Sequence, residues 1–510
     1  MKERIKGLMA TAASRAWLGV TVVGLITVVL VLVLSLIPRL TAGQHVIDTA
    51  EPAFTDERVA GTRVGVDLLS QYVDFLDPVL TSRGGANKEV RSLVRLIRRE
   101  LGLSDEQARK ILRREAPHAE ALMRALPLTG LVDEIPRLTS YLTTTLRISE
   151  DELAAILERE FPRIAQMLTT LPIVTDSWYD VPGIEGLTRL SGGKPVRTVP
   201  GLRKYVRDDV VPLTVQRKDD FQSLAGRGGI GYIPYLLLLV GLAMIVYGLL
   251  QARRATITAP GRLSWSIVIG SGALLIVFVG AASLFPRLAG GQRLVDDMAP
   301  VFAQERVQAV TTGFDTVHEI VVLGDPIMTR GGGASRETPR LYELIGQRTG
   351  RRPGDVRRTL ARRVPRTIAL LDALPLTSVA REVPRLVAYL AKALRMSRDN
   401  VVSLLRRRTP RLTRALLATP PVTSGWTSIP RTGELTQFDG VRPVRTMPAL
   451  DDYLRQDLLP VFEKGREDLE TFASGSPQIK TLAPALAVYG LVVVIYGALM
   501  MLLVGRRKRR

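Results

Sequence analysis

The middle of the chain, from Tyr232 to Pro286, constrains the fold more than any other stretch. It reads YIPYLLLLVGLAMIVYGLL, then QARRATITAPGR, then LSWSIVIGSGALLIVFVGAASLFP. Two apolar runs flank a hinge that carries Arg253, Arg254 and Arg262 and no acid. About 20 apolar residues at 1.5 Å rise cross a hydrocarbon core, so each run is long enough to span. A short basic connection is retained in the cytoplasm. The chain is therefore expected to enter the cell and leave it again at its centre.

Runs at 17–37 and 484–504 complete a set of four expected spans, with 232–250 and 264–285 between them. The first follows Lys2, Arg4, Lys6 and Arg15. A secretory signal has an apolar core of about 7–15 residues and a small-residue cleavage site. This run is longer and shows no such site, so it reads as an uncleaved anchor. The last run ends in RRKRR. These basic flanks place 1–16, the hinge 251–263 and the tail 505–510 on the cytoplasmic face of a plasma membrane. Segments 38–231 and 286–483 are then expected outside, as two helical domains. The chain has no cysteine, so those domains would stand on packing alone. The cytoplasmic pieces are too short for a kinase, a nucleotide-binding fold or any signal-reporting domain, and the exported location leaves nucleic acid out as an expected partner.

What precedes the hinge recurs after it. A shift of 248 residues superimposes IPRLTAGQ (37–44) on FPRLAGGQ (285–292), DPVLTSRGG (77–85) on DPIMTRGGG (325–333), and ALPLTG (125–130) on ALPLTS (373–378). It also matches Trp178 with Trp426, KPVRTVP (194–200) with RPVRTMP (442–448), and Asp209 with Asp457. The fold class expected is a mainly α integral membrane protein. It would be a tandem duplication of a span, an exported α-helical domain and a second span. Both copies would cross in the same direction, so a pseudo-twofold would run along the membrane normal. A finer repeat of 45 residues relates 101–127 to 146–172, and the second half carries it again, with Pro365 and Pro410 in phase. Each unit reads as two short helices. Ser149 and Glu152 have capping-box spacing, Leu153, Ile156 and Leu157 share a helical face, and Pro162 breaks the pattern. Residues 46–80 and 201–224 read as amphipathic helices. Residues 172–200 read as a long ordered loop, with room for short strands near 194–199.

Little in the chain points to catalysis. The three histidines, His45, His118 and His318, align with Arg293, Arg366 and Ser70 at the repeat. No metal-ligand spacing and no nucleophile elbow occur, so neither metal nor other cofactor is expected. SGGKP (191–195) lacks the spacing of a phosphate loop and has Pro195 where a Ser or Thr would hold magnesium. Polar pairs recur at the repeat, among them Arg39/Arg287, Asp48/Asp296, Glu57/Glu305, Asp77/Asp325, Glu134/Glu382 and Arg197/Arg445. They read as helix caps and ion pairs of one fold used twice; an enzyme using Asp77/Asp325 or Glu134/Glu382 is the rival reading. The spans carry no charge in their interiors, which argues against a pump or charged pore. They do carry glycines, notably Gly241, Gly248, Gly490 and Gly497, that would let helices approach closely.

The two halves differ in charge. The chain carries a formal net charge of +21. Segment 38–231 balances its acids and bases, whereas the second half is basic between 336 and 414. Arg351, Arg352, Arg357, Arg358, Arg362, Arg363, Arg406, Arg407 and Arg408 form a candidate surface for an anionic partner. Membrane lipids and other envelope proteins are the expected partners. These observations favour a non-enzymatic scaffold or accessory subunit of a cell-envelope complex, with envelope lipid transport one such host. A lipid or small-molecule carrier with a cavity between the exported domains is the alternative.

Overall fold

The computed structural model describes residues 2–226, 229–255, 262–430, 435–474, 476 and 478–507. Residues 256–261 of the expected hinge and 508–510 of the basic tail lie outside them. The described chain is mainly helical. Its extended pairings are two isolated bridges, Thr188 with Pro195 and Thr436 with Pro443.

Among the described residues, four helices are long and apolar enough to cross a membrane, and they point to a membrane protein. They are Lys2–Val33, Ile233–Ala255, Arg262–Ala281 and Leu482–Arg507. The first and third end earlier than the apolar runs suggest. Ser35 and Ser283 each adopt φ 49°, in the left-handed region, and new helices begin at Leu36 and Leu284. A single left-handed residue turns the chain without interrupting its apolar composition. Hydropathy alone therefore extends the expected spans to 37 and 285.

The structure divides into two compact units: Met1–Thr55 with Leu213–Val307 and Pro460–Arg510, and Asp56–Pro212 with Gln308–Leu459. Each unit takes chain from both halves. These divisions cut across the segments 38–231 and 286–483, because helices of one half pack against helices of the other.

In the first unit the apolar helices pair first with second and third with fourth. The expected packing glycines lie in these pairings. A Cβ on Gly248 would meet Thr21 Oγ1 and the Trp17 carbonyl; one on Gly241 would meet Val28 and the Gly24 carbonyl. One on Gly490 would meet the Gly272 carbonyl and Ile276; one on Gly497 would meet Ile269. These four glycines stand at close approaches between helices of the chain. The pairs are joined by Trp17 and Trp265, which stand 248 residues apart and stack with centroids 3.9 Å apart. The Tyr247 hydroxyl donates to the Ser264 carbonyl at 3.1 Å, and the Tyr496 hydroxyl donates to the Ala16 carbonyl at 2.6 Å. Beyond the third helix, buried Arg287 donates to the carbonyls of Leu224, Gly226 and Gly229 at 2.9–3.2 Å. Burial holds this guanidinium below its ordinary pKa, and the carbonyl dipoles take the place of water.

Twelve helices of the second unit, numbered in chain order, are α1 Ala86–Leu101, α2 Asp105–Glu115, α3 Pro117–Ala125, α4 Ile135–Leu146, α5 Glu150–Glu160, α6 Pro162–Ser177, α7 Ala334–Thr349, α8 Pro353–Arg363, α9 Pro365–Ala373, α10 Leu376–Leu394, α11 Arg398–Arg408 and α12 Pro410–Thr427. They form four similar triplets. α2 and α5 begin on capping boxes built by Ser104 with Gln107 and by Ser149 with Glu152. α2, α5, α8 and α11 all end at a buried residue with φ between −132° and −147°, namely Ala116, Phe161, Val364 and Thr409. The residue before a proline is pushed out of the helical region. Pro117, Pro162, Pro365 and Pro410 then occupy the first position of the next helix.

Three expectations change. α6 continues through Pro172 to Ser177, and α12 through Pro420 and Pro421 to Thr427, so the loop expected from 172 starts later. The run 46–80 is broken at Thr55 between a 3-10 turn and the helix Asp56–Leu80. The helix expected over 201–224 contains a π turn at Val206–Val210, repeated at Leu454–Leu458.

Candidate functional site

Glu134 and Glu382, one of the repeated pairs of acids, serve the starts of other helices. A helix leaves its first backbone N–H groups without internal partners. A leading proline removes one of them and leaves the next two. In all four triplets those two N–H groups donate to a glutamate from the other half of the chain. His118 and Ala119 of α3 donate to Glu382 at 2.9 and 3.0 Å. Arg163 and Ile164 of α6 donate to Glu337 at 3.0 and 2.9 Å. Arg366 and Thr367 of α9 donate to Glu134 at 3.1 and 2.9 Å. Arg411 and Leu412 of α12 donate to Glu89 at 2.9 Å each.

The pattern is reciprocal. Glu89 and Glu382 tie the first triplet to the fourth, and Glu134 and Glu337 tie the second to the third. Glu134, Glu337 and Glu382 are buried, and a carboxylate at a helix N-terminus meets both aligned N–H groups and the positive end of the helix dipole. Glu134 and Glu382 stand out in the sequence as a repeated pair. Glu89 and Glu337 are missed by that reading, although they lie 248 residues apart and each 45 residues before one of the other two.

Asp77 and Asp325, another repeated pair, are also engaged. Asp77 accepts from the buried Trp178 indole at 3.1 Å, and Asp325 from Trp426 at 3.4 Å; both tryptophans are core residues. SGGKP is the tip of the Thr188–Pro195 turn, where Gly193 N–H donates to the Arg189 carbonyl at 3.1 Å. The histidines stand apart, each facing one carboxylate: His118 Nδ1 lies 2.6 Å from Glu382, His318 Nδ1 2.6 Å from Asp451, and His45 Nδ1 3.8 Å from Asp468. Among the described residues no group of three His, Asp or Glu could hold a metal ion.

Asp209 and Asp457, matched in sequence, have different surroundings. Burial alone would push the Asp209 carboxyl up, but Arg189 donates two bonds to it, at 2.9 and 3.1 Å, and holds it below the usual range. In the second half Gln437 stands where Arg189 stands in the first. Asp457 accepts from Phe438 N–H at 2.9 Å, and burial pushes its carboxyl up.

The expected basic surface lies on two helices. Arg351 and Arg352 precede α8, which carries Arg357, Arg358, Arg362 and Arg363; α11 carries Arg406, Arg407 and Arg408. Arg357 is bound to Asp372, Arg358 to Asp355, and Arg363 lies over the Tyr141 ring at 5.5 Å. The other six are exposed and make no ion pair among the described residues. Two apolar recesses, each about 20 Å³, occur at matched places. One lies between Leu138, Leu168, Ile345 and Leu360, the other between Leu93, Leu386 and Leu416. Each has room for about one water-sized group and none for an acyl chain. No protein-family model, curated protein or solved structure matches the chain.

Three outcomes follow from this geometry. Glu134→Ala and Glu382→Ala should each cost about 2–4 kcal/mol, because two backbone donors lose a charged acceptor at a buried helix start. Thermal melts in detergent, with exposed Glu150→Ala as control, check this. Asp209→Asn should destabilise the protein at pH 7 and flatten its acid sensitivity. The Asp209 carboxyl is depressed on folding, so its contribution is present above about pH 4 and is lost as pH falls through the folded value. Asp457 is raised on folding, so its contribution is lost as pH rises through the folded value, and Asp457→Asn should leave stability at pH 7 unchanged or higher. Melts between about pH 3 and pH 7 separate the two.

Proposed function

We propose that this chain is a membrane-anchored, non-enzymatic scaffold or accessory subunit of a cell-envelope complex, using its helical unit to hold an anionic partner. The observation that carries the reading is the contrast between its charged groups. The two repeated carboxylate pairs read as candidate catalytic groups, Glu134/Glu382 and Asp77/Asp325, are engaged at helix starts and in indole bonds. Arg351, Arg352, Arg362, Arg406, Arg407 and Arg408 remain exposed and without ion pairs among the described residues. Exposed guanidinium groups suit carboxylate or phosphate partners.

The same proposal includes a tandem duplication. Supporting it, the bounds of α1 to α3 recur in α7 to α9 at the 248-residue shift, as do the starts of α5 and α6 in α11 and α12. Both termini and the hinge would lie in the cytoplasm and the helical unit outside, supported by the basic flanks of the apolar helices.

Topology is tested with single thiols, for which the cysteine-free sequence is suited. Ser82→Cys and Arg330→Cys should react with a membrane-impermeant reagent in intact cells, and Arg254→Cys should react only after permeabilisation; the reverse pattern sinks the orientation. Partner binding is tested by purification from native membranes in mild detergent. An anionic partner should be enriched with the wild-type chain and lost, by about tenfold or more, from the triple variant Arg351→Gln, Arg352→Gln, Arg362→Gln. A chain that emerges alone in both cases counts against the scaffold reading.

A further inference from the structure

α5 and α11 occupy matched places in the two halves. Each has 11 residues, their bounds are 248 residues apart, and each begins on a serine cap, Ser149 or Ser397. Their inner faces are alike, with buried Leu153 on α5 and buried Val401 and Leu405 on α11. Their outer faces are opposite in sign. α5 reads EDELAAILERE, five acids against one base; α11 reads RDNVVSLLRRR, four arginines against one aspartate. Glu150, Asp151, Glu158, Arg398, Arg406, Arg407 and Arg408 are all exposed and make no ion pair among the described residues.

The charges are ordered along each helix. α5 carries Glu150, Asp151 and Glu152 at its start and Glu158 and Glu160 at its end. α11 carries Arg398 at its start and Arg406, Arg407 and Arg408 at its end. Laid antiparallel, the acidic start of α5 meets the three arginines of α11, and its acidic end meets Arg398. The helix dipoles also oppose favourably in this arrangement. The exposed middles are small, with Ala154 and Ala155 on α5 and Ser403 on α11, so the helices can approach closely.

We propose that α11 of one chain docks antiparallel on α5 of a second copy. This names the occupant of the α11 part of the basic surface, and so rests on reading that surface as a binding face. Each chain carries both helices, so the contact is head-to-tail and propagates into rows or closed rings. Confinement to a membrane raises the effective concentration of one copy for the next.

The test uses the full chain carrying Ala155→Cys and Ser403→Cys, oxidised in native membranes. The expected result is a ladder of dimers, trimers and higher species joined between chains. Reversing α11 alone with Arg406→Glu, Arg407→Glu and Arg408→Glu should reduce the ladder about tenfold or more. Adding Glu150→Lys, Asp151→Lys and Glu158→Lys to the same chain should restore it, because the pair is again complementary. Raising salt towards about 1 M, where the Debye length falls to about 3 Å, should reduce the wild-type ladder. Unchanged melting temperatures show that the variants fold. No ladder from the wild-type charges, or a ladder indifferent to reversal of α11, overturns the proposal. If the Arg351, Arg352, Arg362 variant still loses its partner while no ladder forms, self-association alone fails; a ladder without any enriched partner sinks the scaffold reading alone.

Discussion

The helical unit depends on one electrostatic requirement: α3, α6, α9 and α12 begin on proline and cannot satisfy their own first N–H groups. Each takes a carboxylate from the other half of the chain. A buried N–H without an acceptor costs about 1–3 kcal/mol, and here the first two free donors of each helix are served by Glu89, Glu134, Glu337 or Glu382. Neither half caps these four helices by itself. Reciprocal exchange makes the two halves one compact unit, and it explains why the boundaries of that unit ignore the chain's midpoint.

The membrane unit meets a different constraint. Without a hydrophobic drive between helices in lipid, close approach and hydrogen bonds must hold them together. Gly248 and Gly497 sit where a side chain would strike a neighbouring helix. The stacked Trp17 and Trp265 and the two tyrosine hydroxyls aimed at the Ala16 and Ser264 carbonyls supply the contacts between pairs. Trp17 and Trp265, matched at the 248-residue shift, meet each other here, as the two halves do in the helical unit.

The shared geometry of the caps leaves the outer helix faces unconstrained, and there the halves differ. α5 is acidic and α11 basic on the same framework. Asp209 has an arginine partner, whereas Asp457 lies in a half whose matching residue is Gln437. Differences confined to exposed positions and to single buried pairs are what a fold tolerates when its core contacts are shared.

The apolar runs, the 248- and 45-residue periods, the Ser149 cap and the breaks before Pro162, Pro365 and Pro410 are all legible in the sequence, because each follows from local chemistry: hydrophobic length, side-chain hydrogen bonding and the steric demand of proline. The packing role of Gly241, Gly248, Gly490 and Gly497 is legible as chemistry, and the helices they face are not. The left-handed turns at Ser35 and Ser283 carry no composition signal, and Pro172 looks like an end where the helix continues. Which glutamate serves which helix is decided only by tertiary structure. A carboxylate and the N–H groups it accepts from lie 173 to 323 residues apart along the chain. No local rule reaches across such a separation; only the packed halves bring them within hydrogen-bond distance.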